Sequence, residues 1–484
     1  MSSRLNIALD SMPLAGDYHW PIDYDSRVVG GAIVRPLFSE CWESAEPAPG
    51  SAEAVWTVDD GRTWRLRLDE RGRWSDGTWL RAEHAQAAVE RILSRPGSVV
   101  ARLLDRDAGA VRVIDGNTLE YRFAQPTAYA REVLTLPQFA PFRPTADGRK
   151  ASLGSYEEVS VGEREIHLAR HDFADDAVTG TGAGPTAERL VFTRRETHED
   201  ALDAYGDGAL DITPTIGFTQ DQLDRFAAHP RLVSRDVSMF GSLEFGTSAT
   251  RFTASPDIRR ALSGLLDRGR LVSRVPGLLK PWSQRSDLWR RASPSPGESA
   301  ARTDATAGSR SDDRELSLLR EALRGDRTIT YADFPPNGEV VAGIRDQLRE
   351  ALGVVVSVRP VTFPAYVRTV ISGEYDMLYT LTTADYPHVA ALLTPWHSRG
   401  AAGDRAGLRD PVLDRLLDRA RACLDPDAAE TAWGRAGERW LDMMPRIPLV
   451  QVRANCLYSQ KITGLAISGA GFFDFDRIST NCAE

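Results

Sequence analysis

Residues 59–93 read DDGRTWRLRLDERGRWSDGTWLRAEHAQAAVERIL. Thr63, Arg65 and Arg67 alternate with Trp64, Leu66 and Leu68, so an extended chain here can bury one face and wet the other. The turn at Asp69, Glu70, Arg71 and Gly72 reverses the chain, and Trp74, Ser75, Asp76 and Gly77 make a second tight corner. From Arg81 the apolar positions Ala85, Ala88, Val89 and Ile92 recur at helical spacing. The stretch predicts a hairpin followed by a helix.

Outward from it, bulk properties set limits. The chain has 484 residues, more than one ordinary core holds, so two or three domains are expected. Its hydrophobic and charged fractions, 42% and 26%, are those of a globular protein. A net charge of −9, with no basic run interleaved with aromatics, argues against a nucleic-acid partner. Cys41, Cys423, Cys456 and Cys482 are scattered without metal-ligand spacing, and buried thiols are the expected reading. No cofactor motif stands out. The first residues, MSSRLNIAL, pass straight into an alternating strand without a basic region, a long apolar run or a lipid-attachable Cys. No segment reaches the roughly 20 apolar residues of a membrane helix. The expectation from the chain as written is a cytoplasmic protein with no membrane span.

The run W-S-D-G-T-W-L-R-A-E-H-A resembles the signature of the family 5 solute-binding proteins, the receptors of peptide and nickel ABC importers. Trp74, Asp76, Gly77, Thr78, Leu80, Ala82, Glu83 and Ala85 stand at matching positions, with Arg81 where Thr or Asp is commoner. Physically these residues make a packed corner, so they identify the fold and not the binding site. Further matches run along the chain: Phe38, Trp42 and Glu43; the hairpin of 111–114 and 118–123 ending at Pro126; residues 208–212; the helix from Asp257; and Ile447, Pro448, Leu449 and Val450. At 153–156 only Gly154 and Tyr156 match the family's G-T-G-P-Y.

The resemblance implies an α/β, two-lobed periplasmic-binding-protein-like (type II) fold with an extra small α+β subdomain. Expected boundaries are 1–39 for the first part of lobe I, 40–148 for the small subdomain, 149–245 for the second part of lobe I, 246–455 for lobe II and 456–484 for a return to lobe I. Residues 292–313, rich in Ser, Pro, Gly, Ala and Thr, read as a disordered insertion. The Gly-rich run at 179–185 lacks the lysine of a phosphate loop and reads as a surface loop. A β-α-β succession is predicted at 328–331, 339–352 and 354–358, implying parallel pairing. A strand is predicted at 373–379.

Site candidates follow. Residues 382–387, TTADYP, lie at the carboxyl end of that last strand, where an open α/β sheet meets its ligand. They resemble the family's W-x-A-D-Y, in whose peptide-binding members the Asp holds the ligand's α-ammonium group. Asp385 is therefore the leading candidate; an Asp capping the following helix is the alternative. Thr382 stands where the family has Trp, and Thr383 and Tyr386 flank Asp385. Trp396, His397, Arg399 and Arg409 occupy the region that supplies side-chain and carboxylate contacts in relatives. Either arginine suits a carboxylate end bidentately, although arginine is so common here that a solvated surface role is the ordinary reading. Tyr18, His19 and Trp20 are candidates from the loop after the first strand, with surface packing as the alternative. Met239, Phe240 and Gly241 lie on the strand that crosses between lobes, and Trp282 ends a Gly/Pro-rich loop.

The implied function is a solute-binding protein that closes over a small peptide-like or other cationic or zwitterionic ligand, with an ABC transporter permease as a further partner. H-E-x-x-H, G-x-S-x-G and P-loop motifs are absent from the sequence. A cytoplasmic enzyme built on this fold and a ligand-sensing regulatory module remain as alternatives.

Overall fold

The computed structural model describes residues 3–14, 16–40, 46–95, 98–144, 151–174, 187–246, 255–282 and 313–480. The insertion at 292–313, apart from Asp313, the Gly-rich run at 179–185, Cys41 and Cys482 lie outside the described residues.

Three sheets carry the architecture. The first has the strand Arg4–Leu9 at one edge, parallel to Arg189–Arg194, which continues antiparallel through Glu165–Arg170 to Tyr156–Val161. The helix Tyr24–Ile33 begins at Asp23, whose carboxylate accepts from the Ser26 amide and satisfies one of the first-turn donors. This sheet, the helix and the C-terminal residues Ile462, Ile467, Phe473, Phe475 and Ile478 share one core.

The second sheet has six strands in the order Leu279–Pro281, Ile447–Leu457, Leu232–Phe245, Met377–Thr383, Thr328–Ala332 and Ser357–Val361. Thr328–Ala332 is parallel to both of its neighbours, joined to Ser357–Val361 by the helix Asn337–Leu352, as the β-α-β pattern requires. The last strand begins at Ser357 rather than at 354, because Gly353 caps the helix in the left-handed region (φ 68°) and residues 354–356 lead away from it.

The third sheet orders Ala52–Thr57, Thr63–Leu68, Thr118–Arg122 and Val111–Val113 and packs on the helix Ala82–Ser94. Strand Thr63–Leu68 pairs with the strand before it and with Thr118–Arg122. The hairpin expected across the Asp69 turn does not form, because both edges of Thr63–Leu68 are taken, and the residues after the turn make only their own bridge between Arg73 and Trp79. Trp74 fills the corner, fully buried, with its indole N–H donating to His84 Nδ1 at 3.1 Å.

That small sheet does not keep a core to itself. Its residues form one continuous hydrophobic cluster with Tyr386, Ala390, Leu393, Trp396, Leu413, Leu417, Trp433 and Trp440 from the helical end of the second lobe. Tyr129 stacks on Tyr386 (6.0 Å, 12°) and on His388 (4.6 Å, 6°), and Trp433 meets both Tyr129 and His388 edge-on. The Ala128 amide donates to the Arg421 carbonyl at 2.9 Å across the same boundary. The small subdomain and the second lobe are therefore in contact.

Candidate functional site between the lobes

The strand Met377–Thr383 runs further than its sequence suggests: Gly373 ends the preceding helix at φ 71°, and Thr382 and Thr383 are still paired, with Phe240 and Met239. Asp385 follows two residues later. The Ala384 amide donates to the Ser238 carbonyl (2.9 Å), and the Ser238 amide donates to the Gly469 carbonyl (2.6 Å). These two bonds tie the end of the strand to the turn at 468–472, which belongs to the C-terminal segment packed on the first lobe.

That turn is firmly held. Gly471 takes φ 93°, a conformation that favours glycine, and its amide donates to the Ser468 carbonyl at 3.0 Å. Its carbonyl accepts from the Tyr24 hydroxyl at 2.5 Å, and the Ala470 amide donates to Glu40 Oε2 at 3.2 Å. Phe472 leans against Tyr24 (5.1 Å) and carries the Arg27 guanidinium 4.3 Å above its ring. Arg27 thus projects from the first lobe's helix toward the end of the second lobe's strand.

Asp385 is solvent-exposed, yet its carboxyl pKa is raised above the ordinary value, first by desolvation, with Arg27 pulling it back down. The side chain reaches water, while neighbouring protein displaces part of the carboxyl's hydration. Neither Asp385 nor Arg27 forms a hydrogen bond or ion pair with any of the described residues. A carboxylate that has lost part of its hydration and gained no partner attracts a ligand cation strongly.

The other sequence candidates are placed as follows. Thr382 points to Arg446, whose Nη1 donates to its hydroxyl at 2.6 Å. Arg446 also pairs with Glu244 at 3.2 Å and lies 5.0 Å from the Trp396 ring centroid. Trp396 is buried, edge-on to Trp440 at 6.1 Å, so it supports this ion pair from within the core. Thr383 is half-buried beside Met239. Tyr386 lies in the inter-lobe stack, not in the open recess.

His397 is buried, accepts from the Arg399 amide at 3.0 Å and lies 3.5 and 3.6 Å from Asp414 and Asp418. Arg399 is exposed, 3.9 Å from Asp418, and Arg409 donates to the carbonyls of Ser398 and Leu408. The structure brings none of these three beside Asp385 by any bond.

From the first loop, Tyr18 belongs to the first lobe's core. His19 is buried with Nε2 3.0 Å from the Pro141 carbonyl, and Trp20 carries Arg95 4.4 Å over its ring. Surface and core packing, the alternative reading of these aromatics, accounts for all three. Met239 joins the second lobe's core and borders a cavity of about 20 Å³ with Thr215, Asn337 and Leu381, room for about one water. Gly241 is a packing glycine, since a Cβ there would strike the Tyr379 hydroxyl and Val450. Phe240 is buried on the face that carries Thr382, and Trp282 is buried beyond the sheet edge, its amide bonded to Leu449. Arg27, Ser238, Phe472 and Arg446 were not legible as site residues, because only the tertiary fold brings them to the strand end.

Among the described residues there is no group of His, Cys, Asp and Glu fit to hold a metal ion, and no helix long and apolar enough to cross a membrane. Cys456 is buried and its thiol is pushed up to about 12 by burial, while Cys423 is half-buried.

Residues 46–404 match the family model of bacterial extracellular solute-binding proteins, family 5. The chain belongs to this family. It is a two-lobed α/β solute-binding protein. Periplasmic murein peptide-binding protein MppA of Escherichia coli is 21% identical, with 90% of this chain and 86% of the relative covered. Dipeptide-binding protein DppE of Bacillus subtilis is 19% identical over 89% of this chain and 83% of its own length. Among solved structures, the E. coli murein tripeptide binding protein MppA superposes with a TM-score of 0.81 at 17% identity, covering 99% of this chain and 98% of its own. Haemophilus influenzae OppA in complex with RPPGFSPFR reaches 0.78 at 16% identity, covering 99% of each chain.

Proposed function

We propose that this solute-binding protein takes a small peptide-like ligand, holds its positive end on Asp385 in the recess between the lobes, and serves an ABC importer. The observation that carries the reading is the Asp385 carboxylate, unpartnered among the described residues and partly desolvated, at the carboxyl end of Met377–Thr383 and facing the first lobe's Arg27. The peptide-binding names of MppA and DppE support the ligand class. A ligand that touches both lobes at once favours the closed arrangement, so binding and closure are one equilibrium.

The test is native mass spectrometry of wild type and Asp385→Asn after incubation with a bacterial peptide extract. Wild type should retain unchanged peptides and Asp385→Asn should lose them, because the variant removes the negative charge that would pair with the ligand's ammonium. Equal retention by both proteins would take Asp385 out of the site, and chemical conversion of the peptides would favour an enzyme. Cell fractionation decides between the cytoplasmic location expected from the sequence and the extracellular one in the family's name.

A further inference from the structure

Residues 215–218 and residues 334–337 together line the cavity of about 20 Å³ that Met239 borders. Thr215 is held to the first lobe's helix, its hydroxyl 2.8 Å from that of Tyr24. Residues 334–337 follow Thr328–Ala332 in the second lobe, at the carboxyl end where an open α/β sheet meets its ligand. Met239 and Leu381 complete the wall from one face of two paired strands, the face that also carries Thr383. Leu381 precedes Asp385 by four residues, so their Cα atoms are no more than about 14 Å apart, within the span of one short peptide.

The lining is apolar apart from four side chains, and three of those are committed. Thr215 pairs with Tyr24, Arg453 donates to Asp236 at 3.0 Å, and Asn455 accepts from the Ser234 hydroxyl at 2.6 Å. Asn337 is the exception. It is only 3% exposed, and its Nδ2 donates to the Ala332 carbonyl at 2.9 Å. That bond fixes the amide's orientation and leaves Oδ1 as the free end, which accepts from none of the described residues.

We propose that this cavity is a side-chain subsite that selects serine or threonine in the bound peptide, with Asn337 Oδ1 accepting the side-chain O–H. The inference rests on the reading of this chain as a peptide receptor and adds which side chain it prefers. A buried acceptor among apolar atoms favours a group that brings one donor and no charge, since an ammonium or carboxylate would lose its hydration there. The volume holds a hydroxyl at the tip of a short side chain and excludes the branched end of leucine.

The test is native mass spectrometry of the full chain with an equimolar tripeptide set, made of tri-alanine and its variants carrying Ser, Thr, Val or Leu at each position in turn. At one position wild type should retain the Ser or Thr peptide about tenfold better than tri-alanine, and the Leu peptide least. Asn337→Ala should erase the preference for Ser over Ala. Leu381→Ala widens the cavity and leaves Asn337 in place, so it should keep that preference and admit Leu. Peptides retained by wild type without preference for Ser or Thr at any position would mean that Asn337 Oδ1 is served by water alone, which overturns the subsite and leaves the peptide-receptor reading intact. A preference that survives in Asn337→Ala also overturns the subsite, and retention of no member of the set by wild type overturns both readings.

Discussion

Arg446 Nη1 donates to the Thr382 hydroxyl at 2.6 Å, so the residue that replaces the family's tryptophan is a ligand of a buried guanidinium. Glu244 completes the pair at 3.2 Å, and Trp396 backs the cation. The aromatic lost at 382 is thus exchanged for a polar network anchored one strand away. Thr382→Val keeps the shape and removes the acceptor. A hydrogen bond to a charged group contributes about 1.5–3 kcal/mol, and chemical denaturation should show a loss of that size. Arg446→Ala should cost more, because it strands Glu244, which is largely buried.

Gly154 tests the return into the first lobe. Its amide donates to the Ile33 carbonyl at 2.8 Å, and its carbonyl accepts from His171 at 2.6 Å. A Cβ added there would lie 2.5 Å from the Ala32 carbonyl oxygen and 2.7 Å from the Ile33 carbonyl carbon, both backbone atoms with no rotamer to yield. Gly154→Ala should therefore destabilise by about 1–3 kcal/mol in urea unfolding. A neutral result would mean that the helix Tyr24–Ile33 shifts freely.

These residues also mark what the sequence could and could not reveal. Trp74 is legible because a local corner fixes its neighbours, whereas Gly154 is legible only through its match to the family pattern, since Ala32 and Ile33, which press on it, lie far off in the chain. Alternation also exposed Thr63–Leu68 and Thr118–Arg122, whose buried faces are set by the two-residue period. The strand at 354–358 was misplaced because three valines favour extension anywhere, whereas the pairing of Ser357 with Thr328 decides where the strand begins. Asp385 was readable as a motif. Arg27 was not, since nothing local to it encodes a turn contributed by residues 468–472.

Stability should depend on pH through buried Asp25, its neighbour Asp10, whose carboxyl is also raised by desolvation and by Asp25, and partly exposed Asp474. Burial pushes Asp25 up to about 6, against hydrogen bonds from Ser11, and raises Asp474 to about 6 as well, with Asp476 adding repulsion. Both bind their protons more tightly folded than unfolded, where an aspartate titrates near about 3.9. The stability they supply is complete below about pH 4 and is lost as pH rises through about 6. The salt-bridged carboxylates Asp76, Glu120 and Asp410, held below the ordinary range, act oppositely and lose their contribution on acidification. Tm should thus decline between about pH 4.5 and 6.5, and Asp25→Asn should flatten that decline even though it lowers Tm overall. An unchanged slope in the variant would exonerate Asp25.

Closure has its own handle in Tyr129. Its ring is held between the small sheet and the second lobe, stacked on Tyr386 and His388 and met by Trp433. Each such aromatic pair contributes about 0.5–1.5 kcal/mol beyond area burial, and these contacts span the boundary between the small subdomain and the second lobe. Tyr129→Leu keeps an apolar side chain in the small subdomain's core but removes the stack. The closed population should fall, the radius of gyration from small-angle scattering should rise in the absence of ligand, and ligand affinity should drop about tenfold through the lost closure energy. Because Tyr129 lies outside the recess of Asp385, the variant's preference among ligands should stay that of wild type. A change in preference would instead place Tyr129 in contact with the solute.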